Sequence, residues 1–190
     1  MNKIKTPFPD VWIIEPDVFK DKRGFFLESY SYKKYKNLGI KAKFIQDNHA
    51  KSQKNTLRGI HFSIYPGQVK LVRCTQGAIW DVIVDLRQES PTFKNWHGVE
   101  LSEENFKQLF IPVGFGHGYA VLSETAEVQY KVSNYYDPEI ESEVAWNDPS
   151  VGIDWKIKDP ILSERDQTAP RIDEFFKENP SPFKPPETPT

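Results

Sequence analysis

Residues 78–86 read Ala78-Ile79-Trp80-Asp81-Val82-Ile83-Val84-Asp85-Leu86. Trp80, Val82, Val84 and Leu86 alternate with Asp81, Ile83 and Asp85. That is close to period two with both faces partly apolar, the pattern of a strand inside a sandwich. Outward from this run the same signal repeats. Leu57–Phe62, Gln68–Thr75, Trp96–Leu101, Lys107–Ile111, Gly118–Leu122 and Glu127–Val132 read as further short strands. Tyr65-Pro66-Gly67, Gln76-Gly77 and Glu89-Ser90-Pro91 supply turns between them. Upstream, Val11–Ile14 and Phe25–Glu28 read as strands on either side of the polar turn Asp21–Gly24, and Phe44–Asn48 as extended. Ser31–Leu38 reads as a short helix stopped by Gly39. After Asn134 the pattern loses regularity, with short helices expected in Pro160–Asp166 and Arg171–Glu178. The prediction is a mainly β fold, an antiparallel sandwich or jelly roll with a few short helices, over residues 1–178 as one domain. Residues 179–190 hold five prolines without apolar periodicity and are expected to form a mobile tail.

Composition supports a packed β protein. Hydrophobic residues are 38% and charged residues 27% of 190, enough for a core without staples. Aromatics reach 14% and prolines number fifteen, both of which favour strands and turns over long helices. A net charge of −2 gives no basic field, so nucleic acid is not an expected partner. No stretch approaches the roughly 20 apolar residues of a membrane span, and the N-terminus carries no secretory apolar segment. A cytoplasmic location is the expectation. Cys74, the only cysteine, lies in the apolar run Leu71–Thr75 and reads as a buried strand residue rather than a reactive thiol.

Four histidines are the first candidates for chemistry. His49 and His97 sit in polar surroundings near strand ends and read as surface or turn residues. His61 follows Leu57-Arg58-Gly59-Ile60, and His117 sits in Gly114-Phe115-Gly116-His117-Gly118. Glycines beside a strand histidine leave room for a ligand to approach the backbone. A metal is not expected. Metal-binding jelly rolls place a second histidine two residues after the first, and that position is Ser63; no His-x-x-x-His pair or cysteine cluster replaces it. Acid–base work by histidine, tyrosine, lysine and carboxylates then remains, with no cofactor implied. Histidine suits proton abstraction near neutral pH.

Several segments together resemble the dTDP-4-dehydrorhamnose 3,5-epimerase family of cupin-type sugar-nucleotide epimerases. They are Asp21–Glu28, Gln46-Asp47-Asn48, Leu57–Phe62, Lys70–Arg73, Asp81–Arg87, Ser90–Phe93, Ile111–Gly118, Tyr130-Lys131, Trp146–Trp155 and Pro160–Asp166. The resemblance implies a cupin-type sandwich that inverts C3 and C5 of a nucleotide-linked 4-keto-6-deoxyhexose without metal or nicotinamide. It implies His61 as base, Asp166 as its partner, Tyr130 as acid on the opposite face, and Lys70 beside the C4 oxygen. It implies substrate contacts from Arg23, Glu28, Gln46, Asn48, Arg58, His117, Glu141 and Arg165. It also implies a homodimer whose N-terminal strands, carrying Arg23 and Glu28, are exchanged.

Two departures stand out. Many relatives carry glutamine and a Pro-Gln-Gly-Lys run after the His-Phe pair; here the stretch is Ser63-Ile64-Tyr65-Pro66-Gly67-Gln68-Val69-Lys70. Arg165 stands where lysine is common. Three other readings stay open: a mono-epimerase acting at C3 or C5 alone, a non-catalytic sugar-nucleotide-binding cupin, and a metal-dependent cupin. The residues themselves also allow bland roles. Lys70 and Arg73 suit a solvated strand, Tyr130 suits core packing, Arg58 suits a surface ion pair, and Asp166 suits the cap of a turn begun at Ser163.

Overall fold

The computed structural model describes residues 1–185. The chain runs β1 (Asn2–Lys5), β2 (Trp12–Glu15), β3 (Val18–Asp21), β4 (Gly24–Leu27), α1 (Tyr32–Asn37), β5 (Gln46–Gln53), β6 (Leu57–Ser63) and β7 (Lys70–Gln76). It continues through β8 (Ala78–Asp85), β9 (Trp96–Ser102), β10 (Gln108–Ile111), β11 (Phe115–Val121), β12 (Thr125–Val132), β13 (Glu141–Glu143), α2 (Glu164–Thr168) and α3 (Ile172–Glu178). The strands form a six-stranded sheet in the order β1-β2-β10-β7-β12-β5 and a five-stranded sheet in the order β13-β6-β11-β8-β9. The pairings within both sheets are antiparallel. The expected cupin-type antiparallel sandwich with a few short helices is the observed fold.

Strand parity decides what each face buries. Facing side chains of the two sheets, among them Val72, Cys74, Ile79, Ile83, Phe115, Tyr119, Val121, Ala126 and Val128, close the inner core. Val82, Val84 and Leu86 point the other way, onto a second core built with Leu57, Ile60, Phe62, Trp155, Phe175 and Phe176. The more apolar parity of residues 78–86 therefore packs under the C-terminal segment, and the Asp81/Ile83 parity lines the sandwich interior. Both faces of β8 are buried, which is why neither parity is consistently polar. Tyr35 of α1 covers the outside of the six-stranded sheet with Ile14, Leu71 and Phe110.

The sequence reading misses β1, β3 and β13 and shortens β5. These strands are short or polar, and pairing rather than burial holds them. Of the segment expected to be a mobile tail, residues 179–185 make contacts: Tyr65 donates its N–H to the Pro182 carbonyl at 2.7 Å, and the Phe183 ring lies 5.9 Å from that of Phe62. The rest of that segment lies outside the described residues. Cys74 is buried, as expected, and burial pushes its thiol up to about 12. No helix among the described residues is long and apolar enough to cross a membrane.

Candidate active site

Arg58 and His61 share one side of β6, Arg58 at its exposed rim, but their spacing of three positions should put them on opposite faces of a regular strand. A β-bulge resolves this. Opposite β11, His61 pairs with His117 and Arg58 with Tyr119, so three steps on one strand match two on the other. Gly59 makes the bulge possible. Its φ is +129°, and a Cβ there would meet Gly118 Cα at 2.5 Å and the His117 carbonyl oxygen at 2.8 Å.

Two imidazole–carboxylate pairs lie side by side on these strands. His61 Nε2 is 2.6 Å from Asp166 Oδ1. Asp166 is buried on α2, where Ser163 caps the helix; the other carboxylate oxygen accepts from Ser163 Oγ at 2.7 Å. Ser163, not Asp166, is thus the cap, and the Asp166 carboxylate divides between the capping hydroxyl and the imidazole. Burial raises the Asp166 pKa, but hydrogen bonds from His61 and Ser163 outweigh it and hold the carboxyl below its usual range. An anionic Asp166 accepts the proton on Nε2 and leaves Nδ1 as the basic nitrogen of His61. His117 Nε2 lies 3.0 Å from both oxygens of Asp81, which is fully buried on β8. Burial pushes the Asp81 carboxyl up, against the opposing pull of His117 and Lys70.

The facing sheet contributes Tyr130 on β12 and Lys70 on β7, both on the inward parity with Val72 and Val128. Burial pushes the Tyr130 hydroxyl up, so the phenol keeps its proton. Burial pulls the Lys70 ammonium down, opposed by the charges of Glu141 and Asp81. Asn48 pairs with Tyr130 across β5 and β12, and Gln46 Nε2 donates to Asn48 Oδ1 at 2.9 Å. At the rim, Arg58 Nε donates to Ser52 Oγ at 3.1 Å, and Arg165 is held by Glu143. Both guanidiniums stay exposed. Glu141 faces the interior beside Ser63.

Ten of the twelve residues singled out in the sequence therefore converge: His61, Tyr130, Asp166, Lys70, Gln46, Asn48, Arg58, His117, Glu141 and Arg165. Arg23 and Glu28 do not join them within one chain. Arg23 pairs with Asp21 on the exposed β3–β4 hairpin, and Glu28 with Lys34. The glycines around His117 also serve a different end from the one expected. A Cβ on Gly116 would strike Ile60 and one on Gly118 the Arg58 carbonyl, so protein atoms rather than a ligand take up that space. His49 lies on the outer face with Glu127.

Sequence reasoning missed Asp81, Ser52, Glu143 and Ser163, the partners of the recognised residues. Asp81 carried a usable signal, a charge on the minority parity of an apolar strand. Ser163 carried one too, as the expected start of a helical turn, whereas Ser52 carried none. Among the described residues no group of three His, Cys, Asp or Glu side chains is arranged to hold a metal ion. An imidazole, a phenol and an ammonium are groups able to take a proton, give one and offset negative charge.

The family model described as dTDP-4-dehydrorhamnose 3,5-epimerase matches residues 5–174. The dTDP-4-dehydrorhamnose 3,5-epimerase of Salmonella typhimurium is 53% identical over 92% of this chain and 97% of its own. The crystal structure of the Legionella pneumophila dTDP-6-deoxy-D-glucose-3,5-epimerase in complex with dTDP-4-keto-L-rhamnose is similar at a TM-score of 0.90. It is 44% identical and covers 93% of this chain and 95% of that one. A dTDP-4-dehydrorhamnose 3-epimerase of Streptomyces niveus is 40% identical over 84% of this chain and 78% of its own. With a family model spanning most of its length and relatives near half identity, this chain belongs to the dTDP-4-dehydrorhamnose 3,5-epimerase family.

Proposed function

We propose that this isomerase inverts C3 and C5 of a nucleotide-linked 4-keto-6-deoxyhexose, taking dTDP-4-dehydro-6-deoxyglucose to dTDP-4-dehydrorhamnose. The observation that carries the reading is the 2.6 Å His61–Asp166 pair on one sheet with Tyr130 on the facing sheet. Nδ1 of His61 takes the proton from a carbon next to the ketone, and the C–H electrons move onto the C4 oxygen as an enolate. Asp166 stabilises the imidazolium that forms. The Lys70 ammonium offsets the enolate charge. Tyr130 then gives its proton to the opposite face of the same carbon; His61 releases the proton it took to solvent and Tyr130 regains one from solvent, which resets both groups for the second carbon. C3 and C5 flank one ketone, so one enolate site serves both steps.

His117, Gln46, Asn48 and Glu141 surround the sugar in this reading, and Arg58 and Arg165 at the rim meet the diphosphate. A guanidinium fork suits phosphate oxygens. Arg23 and Glu28 complete the site of a second copy, in a homodimer with exchanged N-terminal strands. Support comes from the β3–β4 hairpin, which pairs with neither sheet of its own chain and exposes Phe19, Phe25 and Phe26. Residues 1–178 act as one domain, in the cytoplasm.

The test is incubation with dTDP-4-keto-6-deoxyglucose in deuterated water, followed by NMR at C3 and C5, with His61→Asn as control. Deuterium and inversion at both carbons, absent from the control, is the expected result. Label and inversion at one carbon establishes a mono-epimerase, the second reading, which the 40% identity to the Streptomyces niveus 3-epimerase favours. No exchange above the control sinks both.

A further inference from the structure

The two guanidiniums at the rim of the site are both held by their Nε. Arg58 Nε donates to Ser52 Oγ at 3.1 Å. Arg165 Nε donates to Glu143 Oε2 at 2.7 Å, and Arg165 Nη2 donates to the same oxygen. A guanidinium carries its five N–H groups in one plane. Glu143 takes one from Nε and one from Nη2, which together are the side edge of the fork. Both hydrogens of Nη1 and the second of Nη2 remain, and they form the end edge. Among the described residues no hydrogen bond uses that end edge, and the Arg165 side chain is 40% exposed. Glu143 lies opposite His61 in register across β13 and β6, so the two side chains share the face that holds the imidazole. Arg165 directly precedes Asp166, the partner of that imidazole, on α2.

We infer that Glu143 is a positioning residue for substrate binding: it grips the side edge of Arg165 and leaves the end edge set to take two oxygens of a diphosphate. The inference rests on the reading of Arg165 as a diphosphate contact given above. A free arginine side chain samples many rotamers, and binding must stop that sampling. Glu143 stops it beforehand. Its charge offsets part of that of Arg165, but at an exposed rim the Coulomb part is screened, whereas the direction set by two hydrogen bonds is not. A lysine would present rotatable donors with no edge to set; a guanidinium has edges, and which one is covered decides what it can bind. The rival role is a plain tie between β13 and α2. The backbone already supplies that tie. On either side of α2, Ile161 donates its N–H to the Asn55 carbonyl and Ala145, just past β13, donates to the Pro170 carbonyl, both at 2.8 Å.

The test is calorimetric titration of dTDP into wild type, Glu143→Ala, Glu143→Gln, Arg165→Ala and the double variant Glu143→Ala/Arg165→Ala, with a melting curve for each. Glu143→Ala should weaken dTDP binding about 3–10-fold, the cost of ordering one long side chain. Glu143→Gln keeps an acceptor and should stay within about twofold of wild type. The double variant should bind like Arg165→Ala, because Glu143 acts only through that guanidinium. Melting temperatures should stay close to wild type, since an exposed ion pair contributes little. Unchanged or tighter dTDP binding by Glu143→Ala overturns the proposal. So does a loss in Glu143→Gln as large as in Glu143→Ala, or a Glu143→Ala effect that persists at full size without Arg165. In turnover, KM should rise in Glu143→Ala with kcat little changed. A fall in kcat at constant KM would make the pair a tie that holds Asp166, and would overturn the proposal too. Wild type that turns over while Glu143→Ala keeps its dTDP affinity sinks the Glu143 assignment alone. Wild type that shows the expected dTDP differences but neither exchanges nor inverts the sugar sinks the functional reading and leaves Glu143 standing.

Discussion

Arg58 and His61 face one cavity from three positions apart because the bulge at Gly59 turns the strand between them. Gly59→Ala should therefore damage both stability and chemistry. Its Cβ has backbone 2.5 Å away and a left-handed φ to hold. A cost of about 2–3 kcal/mol is expected, lowering Tm by roughly 5–10 °C at this chain length. Activity should fall further than the folded fraction, since Arg58 and His61 lose their common face. Melting curves and turnover on the same sample check both.

Asp166→Asn keeps the shape of the partner but offers His61 a neutral amide. The expected loss is about 10²–10⁴-fold in kcat, the usual range for an acid–base group, with KM little changed. Asp81→Asn should act differently. His117 is read as a binding residue, so KM should rise more than kcat falls. Steady-state kinetics of the pair distinguish the two dyads.

Tyr130→Phe removes the proton donor and leaves the base. In deuterated water the variant should still exchange protons next to the ketone through His61, with the original configuration retained. NMR of the recovered sugar reads label and configuration separately. Inversion at wild-type rate would exclude Tyr130 as the acid.

Asp85 predicts an acid limit to stability. It is fully buried and accepts from Arg87, Ser90 and Thr92, two of these hydroxyl contacts at 2.6 Å. Burial raises its pKa, but these hydrogen bonds prevail and hold it below 3.8. A depressed carboxyl contributes stability above its unfolded pKa, and that contribution is lost as pH falls through the folded value. Wild-type Tm should thus drop below about pH 4. Asp85→Asn should melt lower at pH 7, with the gap to wild type narrowing in that acid window.

Phe175 tests the outer core. It is 7% exposed and stands edge-on to Phe62 at 5.1 Å and to Phe176 at 5.4 Å. Phe175→Ala should cost about 3–5 kcal/mol by denaturant unfolding. Exchange at the sugar carbons should persist in the folded fraction, because Phe62 and His61 point to opposite sides of β6.

The near period-two run of residues 78–86 was legible as a strand because burial imposes the alternation. β1 and β13 were not, because exposed or half-exposed edges impose no such pattern. At the site, His61 and His117 were visible as histidines among glycines, and the family resemblance supplied Asp166, Tyr130 and Lys70. Asp81 and Glu143 were missed because their importance is relational. A carboxylate on a strand says nothing until the topology sets an imidazole or a guanidinium against it. The glycines near His117 were read locally as space for a ligand, when their function is to let β6 and β11 approach across a bulge.

The division of β8 between two cores has a use for anyone rebuilding this enzyme. Val82, Val84 and Leu86 pack in the layer beneath the C-terminal helices, whereas Ile79 and Ile83 pack between the two sheets and Asp81 holds His117. A codon library restricted to the even positions would explore heat tolerance while sparing turnover. Of the odd positions only Asp81 holds a site histidine, while Ile79, Ile83 and Asp85 hold the fold, so a library there would weigh stability against turnover within one nine-residue run.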